Sequence, residues 1–142
     1  MADFTTQAGS GGASVPPDSL FVELTAPVIA GAPVIPTNGG VGPAIATSAA
    51  AARRVGLACA SCNAGNKAFI KYTGPLTLTA DEWDAVAGTE GGLVRGSAYY
   101  VSATSGRLTS TAPASPNFVA PCGIALNALT LMIGSVNPVV GA

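Results

Sequence analysis

The chain has 142 residues and a mass of 13.8 kDa, enough for one domain with a real core and too little for two of ordinary size. Six Lys and Arg against seven Asp and Glu leave it 9% charged, with a net charge of −1 and no histidine, where an ordinary soluble domain of this length carries about 35 charged side chains. That balance offers no basic stripe for nucleic-acid phosphates, and 18 Gly with 11 Pro argue against a helical bundle and for a loop-rich, mainly β protein.

A mean hydropathy of +0.48 raises the question of a membrane. The two charge-free stretches, 24–52 and 108–142, are broken by Pro27, Pro33, Pro36 and Pro43 and by Pro113, Pro116, Pro121 and Pro138. A spanning helix needs about 20 apolar residues whose backbone bonds are all made internally, so no membrane partner is expected. The opening residues have no basic region followed by an apolar run, so no secretory signal is read there.

Residues 1–19 are dominated by Thr, Gln, Gly, Ser and Pro, with Phe4 the only large apolar side chain among the first fourteen after Met1. Such a stretch cannot offset its own ordering entropy by burial. It is expected to be an extended N-terminal arm, reaching up to roughly 63 Å from a domain whose radius of gyration is about 14 Å. The arm can therefore touch a neighbouring molecule, and Phe4 is its candidate contact. Residues 20–142 are expected to form a single β domain.

From Leu20 onward turn residues recur at short intervals, giving about nine candidate strands. Residues 20–24 alternate, with Leu20, Val22 and Leu24 on one face. Residues 32–35 and 42–46 each carry a proline, which suits an edge or a strand start. Residues 54–59 and 67–72 follow, joined by Asn63-Ala64-Gly65-Asn66, and 76–79 lead into the single helical signal. There Thr79 and Glu82 match a capping box, with Asp81, Glu82 and Asp84 where acids favour the helix dipole. The helix is expected over residues 80–86, ending at Gly88, with Trp83 as its anchor into the core. Residues 97–103 and 107–111 read as a hairpin through Thr104-Ser105-Gly106, with Gly106 at the left-handed position. A Pro-rich link leads to closing strands at 122–126 and 129–133. The expected fold is thus mainly β, a small β-barrel or β-sandwich with one short helix. Residues 55–58 and 122–125 share a Gly-Leu/Ile-Ala core, too little to establish a repeat. Glycine inside both strands does mark a close backbone approach.

Chemistry is sparse. Cys59 and Cys62 have C-x-x-C spacing, but with Cys122 and no histidine a structural zinc would lack a ligand. The turn chemistry after Cys62 does not suit a redox helix. The cysteines read as small core or surface thiols, with a Cys59–Cys62 disulfide as the lesser alternative. Without histidine the usual proton-transfer group is missing, and the Asp81 and Asp84 pair is explained by a solvated first helical turn. Residues 64–68 fail the phosphate-loop spacing. No enzyme activity, metal, cofactor or small-molecule substrate is expected. Arg53 and Arg54 are the only adjacent like charges; a solvated strand edge is the plain reading, and an interface anchor the sharper one.

Taken in order, Arg54-Val55-Gly56-Leu57-Ala58, Gly74-Pro75-Leu76-Thr77-Leu78, Glu82-Trp83-Asp84-Ala85-Val86, Gly91-Gly92-Leu93, Gly96, Tyr99-Tyr100-Val101-Ser102, Gly106-Arg107-Leu108-Thr109 and Gly123-Ile124-Ala125-Leu126 form a pattern over about residues 53–133. It resembles the small β domains of tailed-bacteriophage virion proteins, especially head decoration (cement) proteins. The resemblance implies a homotrimeric structural protein on the capsid surface, assembled in the host cytoplasm, that binds the major capsid protein and stabilises capsomer contacts. Phe4, Arg53 and Arg54 are then the candidate capsid or subunit interface. The alternative is a tail or fibre module that recognises a host surface, with Trp83, Tyr99 and Tyr100 as stacking residues.

Overall fold

The computed structural model describes residues 19–134. Ten strands and two helices follow one another: β1 (Ser19–Glu23), β2 (Pro33–Thr37), β3 (Gly40–Pro43), α1 (Ala49–Ala52), β4 (Gly56–Ala58), β5 (Lys67–Lys71), β6 (Gly74–Thr77), α2 (Ala80–Ala87), β7 (Ala98–Val101), β8 (Leu108–Thr109), β9 (Pro121–Ala125) and β10 (Thr130–Ile133). They form two antiparallel five-stranded sheets, each drawn from one half of the chain. The first has the order β1-β5-β4-β2-β3 and the second β6-β10-β9-β7-β8. The architecture is sandwich-like, and the barrel alternative does not hold. In the first sheet a single parallel bridge, Leu24 to Val41, brings the two edges together without closing them.

The second strand order is the first shifted by five, and the registers coincide as well. Val34 lies opposite Gly56 as Tyr99 lies opposite Gly123. Leu57 faces Lys71 as Ile124 faces Met132, and Leu20 faces Ile70 as Leu76 faces Leu131. Backbone hydrogen bonds outside the ladders repeat too: Gly31 N–H donates to the Ala58 carbonyl at 2.7 Å and Gly96 N–H to that of Ala125 at 2.8 Å. Ala58 N–H donates to Ala32 and Ala125 N–H to Ser97, both at 2.9 Å. Gly31 and Gly96 share φ 83°, a left-handed conformation that glycine adopts without a Cβ penalty. A Cβ on Gly56 would strike the Lys71 carbonyl, and one on Gly123 the Met132 carbonyl, so both fourth strands need glycine for the same reason. The short sequence match between residues 55–58 and 122–125 therefore marks one strand used twice.

The halves differ in their insertions. In the second half the link between its first two strands carries α2, capped by Thr79 and Glu82 in the expected box and ended by left-handed Gly88. In the first half the link between its third and fourth strands carries α1, a second helix beyond the one expected. There the Ser48 side chain accepts from Ala51 N–H, and the alanine run has good intrinsic propensity.

Both halves contribute to one continuous core, with Leu24, Val34, Leu57 and Ile70 from the first and Trp83, Tyr99, Leu131 and Ile133 from the second. Each large apolar side chain so buried contributes about 1.5–3 kcal/mol. The expected buried face of residues 20–24 holds only in part: Leu24 is buried, but Leu20 is 42% exposed. Its register partner Ile70 is fully buried, so Leu20 does stand on the inward face, but it is left open where its counterpart Leu76 on edge strand β6 is buried.

Candidate interaction surface

Arg54 is committed within the molecule. The strand pairing of β9 with β7 shifts register between Pro121 and Gly123, and such a bulge leaves carbonyls outside the ladder. The Arg54 guanidinium donates to them, from Nε to Pro121 O at 3.1 Å and from Nη2 to Cys122 O at 3.2 Å, with Gly134 O at 3.5 Å. Arg54 thus ties the first half to the second, and its neighbour Arg53 is the exposed member of the pair. Phe4 lies outside the described residues.

Trp83 and Tyr99 are fully buried. The Trp83 Nε1–H donates to the Leu129 carbonyl at 2.7 Å, and the Tyr99 hydroxyl accepts from Val94 N–H at 2.9 Å. Both polar tips are satisfied, as buried aromatics of this kind require, and neither ring is open to a ligand. Tyr100 is half-buried.

None of Cys59, Cys62 and Cys122 is joined in a disulfide. Burial pushes the Cys122 thiol up to about 12, against a smaller opposing pull from Arg54. Cys62 sits in an isolated antiparallel bridge with Val28. Among the described residues no three His, Cys, Asp or Glu side chains gather as a metal site would need, and no helix is long and apolar enough to cross a membrane.

Asp84 has a role that helix-dipole reasoning misses. Its carboxylate accepts from Gly92 N–H at 2.8 Å, from Thr89 Oγ1 at 2.8 Å and from Gly91 N–H at 3.0 Å. These bonds, led by Gly92, hold its pKa below the usual aspartate value. Asp84 therefore organises the Gly-rich loop that leads from α2 to Leu93.

Two surfaces stand out. On the first sheet, Phe21 of β1 lies directly opposite Phe69 of β5, with ring centroids 4.8 Å apart and planes tilted by 44°. Phe21 is 50% exposed, and Leu20 and Tyr72 are exposed beside this pair in sequence. On the second sheet, Pro75, Met132, Ile124 and Ala98 are register partners across four neighbouring strands and so share one face. Ile124 and Met132 are 41% and 40% exposed, and Leu126 lies two residues along β9's direction on the same side. Neither row of partners on the second sheet contains a charge: the next one pairs Thr77 with Thr130, whose hydroxyls meet at 2.8 Å.

Where the two halves meet, an open cleft of about 990 Å³ is lined by Phe21, Cys62, Asn63 and Lys67 from the first half and by Ser105 and Arg107 from the second. Among the described residues two cations and several neutral polar groups face it, and no carboxylate does.

Comparison of the chain with models of known families, with characterised proteins and with solved structures finds no significant match.

Proposed function

We propose that the protein is a structural component of a bacteriophage virion, a capsid decoration (cement) protein that binds the outer surface of the head. It works as a homotrimer by adhesion to the major capsid protein, stabilising contacts between capsomers, and carries out no catalysis. The observation that supports this reading is the open apolar face of the second sheet, where Ile124 and Met132 stand exposed in partner rows without a charge, outside the cleft. Depletion of charge is what the centre of an extended protein interface has, and many copies on one lattice multiply weak contacts. The residues first singled out divide accordingly. Arg53 is exposed and suits a contact, whereas Arg54 is engaged internally. The test is to mix the purified chain with phage heads stripped of accessory proteins. Stoichiometric co-sedimentation, with heads that withstand a higher temperature, is expected; heads that neither bind the chain nor gain stability would contradict the reading.

A second reading, recognition of a host surface by a tail or fibre module, draws on the cleft. Lys67, Arg107 and Asn63 suit the carboxylates and hydroxyls of an acidic saccharide. Trp83 and Tyr99, the stacking residues first considered for that role, are in the core. Binding of the chain to acidic glycans or to whole cells, lost in Lys67→Ala with Arg107→Ala, would favour this reading over the first.

A further inference from the structure

The cleft between the halves concentrates what the rest of the surface lacks. The chain has six Lys and Arg in all, and two of them, Lys67 and Arg107, line this cleft while none of the described acids does. Its volume of about 990 Å³ lies at the upper end of the range, roughly 300–1,000 Å³, of clefts that hold small ligands. Arg54 shows how the fold engages a cation internally, with hydrogen bonds to carbonyls at 3.1 and 3.2 Å. The cleft groups differ. Among the described residues the Lys67 ammonium, the Arg107 guanidinium, the Asn63 and Asn66 side-chain amides and the Ser105 hydroxyl make no hydrogen bond or ion pair.

Much of the main chain lining the cleft is already paired. Val28 and Cys62 bond each other in both directions, at 2.9 and 3.0 Å, and Gly106 N–H donates to Ala44 O at 2.8 Å. Asn66 N–H and Arg107 N–H donate to Asn63 O and Thr104 O, both at 3.2 Å. An extended peptide is held by main-chain bonds to an open strand, and a phosphate by a nest of free N–H groups. Here recognition falls chiefly to side chains.

One of those side chains is an aromatic ring. Phe21 faces Phe69 and Glu23 faces Lys67 in the β1–β5 ladder. Phe21 and Lys67 are therefore diagonal neighbours on one face, about 7–8 Å apart and within reach of a single ligand. Phe69 packs on Phe21 with ring centroids 4.8 Å apart but does not line the cleft. It braces the ring, and Phe21, 50% exposed, presents it to the cleft. Glu23 shares this face, yet it is not a lining residue, and among the described residues it forms no ion pair with Lys67.

A ring face, two cations, two amides and a hydroxyl together match an acidic sugar. The C–H face of a sugar packs on an aromatic ring. Amides and hydroxyls answer its hydroxyls, because each can both donate and accept. A carboxylate borne directly on the sugar ring comes to Lys67 and Arg107 when that ring rests on Phe21, and such charge-assisted bonds are the strong ones.

We propose that the cleft is a binding site for a carboxylate-bearing saccharide of the uronic-acid type, with Phe21 as its stacking residue and Lys67 and Arg107 as its carboxylate clamp. This rests on the saccharide cleft of the host-recognition reading and adds the class of sugar and the stacking residue. It does not depend on where in a virion the chain sits.

The test is isothermal titration of the full chain with a short oligogalacturonate and with its methyl ester, which keeps the sugar rings but loses the charge. Near-ultraviolet circular dichroism confirms that each variant is folded. The acid is expected to bind at a single site, and the ester about tenfold or more weakly. Lys67→Gln and Arg107→Gln should each weaken the acid by about tenfold or more. Phe21→Ala should weaken it too, and Phe21→Tyr, which keeps a ring, should restore it. Alkylation of Cys62, which lines the cleft, should slow several-fold with the acid bound. Failure of the folded chain to bind the acid, equal binding of acid and ester, or unchanged Cys62 alkylation would overturn the proposal. So would preference for an acidic peptide or a nucleoside monophosphate. Cell binding that survives Phe21→Ala and Lys67→Gln would overturn this inference and leave host recognition standing; uronide binding by a chain that ignores cells would do the reverse.

Discussion

In the first half of the molecule the outer side of β4 and β2 is buried at Leu57 and Pro33, whereas the second half, built on the same strand order and the same registers, leaves Ile124 open at the equivalent place. Leu57 and Ile124 occupy equivalent places, one sealed and one exposed. The difference shows that fold and surface are specified separately. Backbone geometry is preserved by a few glycines and their hydrogen bonds, while the exposed apolar rows have shifted between the halves. The first half exposes Phe21 and Phe69 where the second has Thr77 and Thr130; the second exposes Met132 and Ile124 where the first has Lys71 and Leu57.

The largest expected effect asks whether the two halves are one cooperative unit. Trp83→Ala removes a fully buried indole that stands where a Cβ on Gly31 of the first half would meet it and that donates to Leu129 O. It should cost about 3–5 kcal/mol and lower a single calorimetric transition. Two separated transitions, with only the second half destabilised, would show that the shared core does not couple the halves.

Gly56→Ala and Gly123→Ala sharpen the equivalence. Each new Cβ meets a carbonyl of the neighbouring fifth strand, and overpacking of this kind costs about 1–3 kcal/mol. Comparable losses in urea denaturation are expected for the two variants, and a loss at one position alone would break the correspondence. Gly31→Ala and Gly96→Ala should differ. Both incur the left-handed penalty of about 1–2 kcal/mol, but only Gly31 is crowded, by Val86, Trp83 and Leu78, while Gly96 faces open space. The Gly31 variant should be the less stable of the two.

The smallest effect belongs to the second half alone. Asp84 has a lowered pKa because it accepts bonds from Gly92, Thr89 and Gly91. Its stabilising contribution is present above the unfolded aspartate value of about 3.9 and is lost as pH falls through the lower folded value. The difference in melting temperature between the unaltered chain and Asp84→Asn should therefore narrow below about pH 4. A difference that is constant or widens in acid would contradict the role given to Asp84.

Local features were legible in the sequence where local chemistry decides them. The capping box at Thr79 and Glu82, the stop at Gly88 and the hairpin with Gly106 all depend on residues close in the chain. The repeat was visible only as the Gly-Leu/Ile-Ala match, because what the halves share is backbone geometry. Val34 and Tyr99, or Lys71 and Met132, occupy equivalent places with unlike side chains. The inserted helices and the longer turn between β4 and β5 also shift the spacing. The exposure of Leu20 was not legible because alternation assigns a side chain to a face but does not say what covers it: Leu20 is open and Leu76, its counterpart on the other edge strand, is buried. The true work of Arg54 depends on a bulge 67 residues away, beyond the reach of any local pattern.

The adhesive role proposed for the open face of the second half is tested most directly by oxidative footprinting of Met132 in the full chain, alone and mixed with phage heads stripped of accessory proteins. Met132 stands 40% exposed at the centre of the open face, and Trp83, fully buried, serves as the internal reference. Oxidation of Met132 is expected to fall several-fold on binding to heads while Trp83 stays protected throughout. Equal oxidation of Met132 with and without bound heads would contradict an adhesive role for that face.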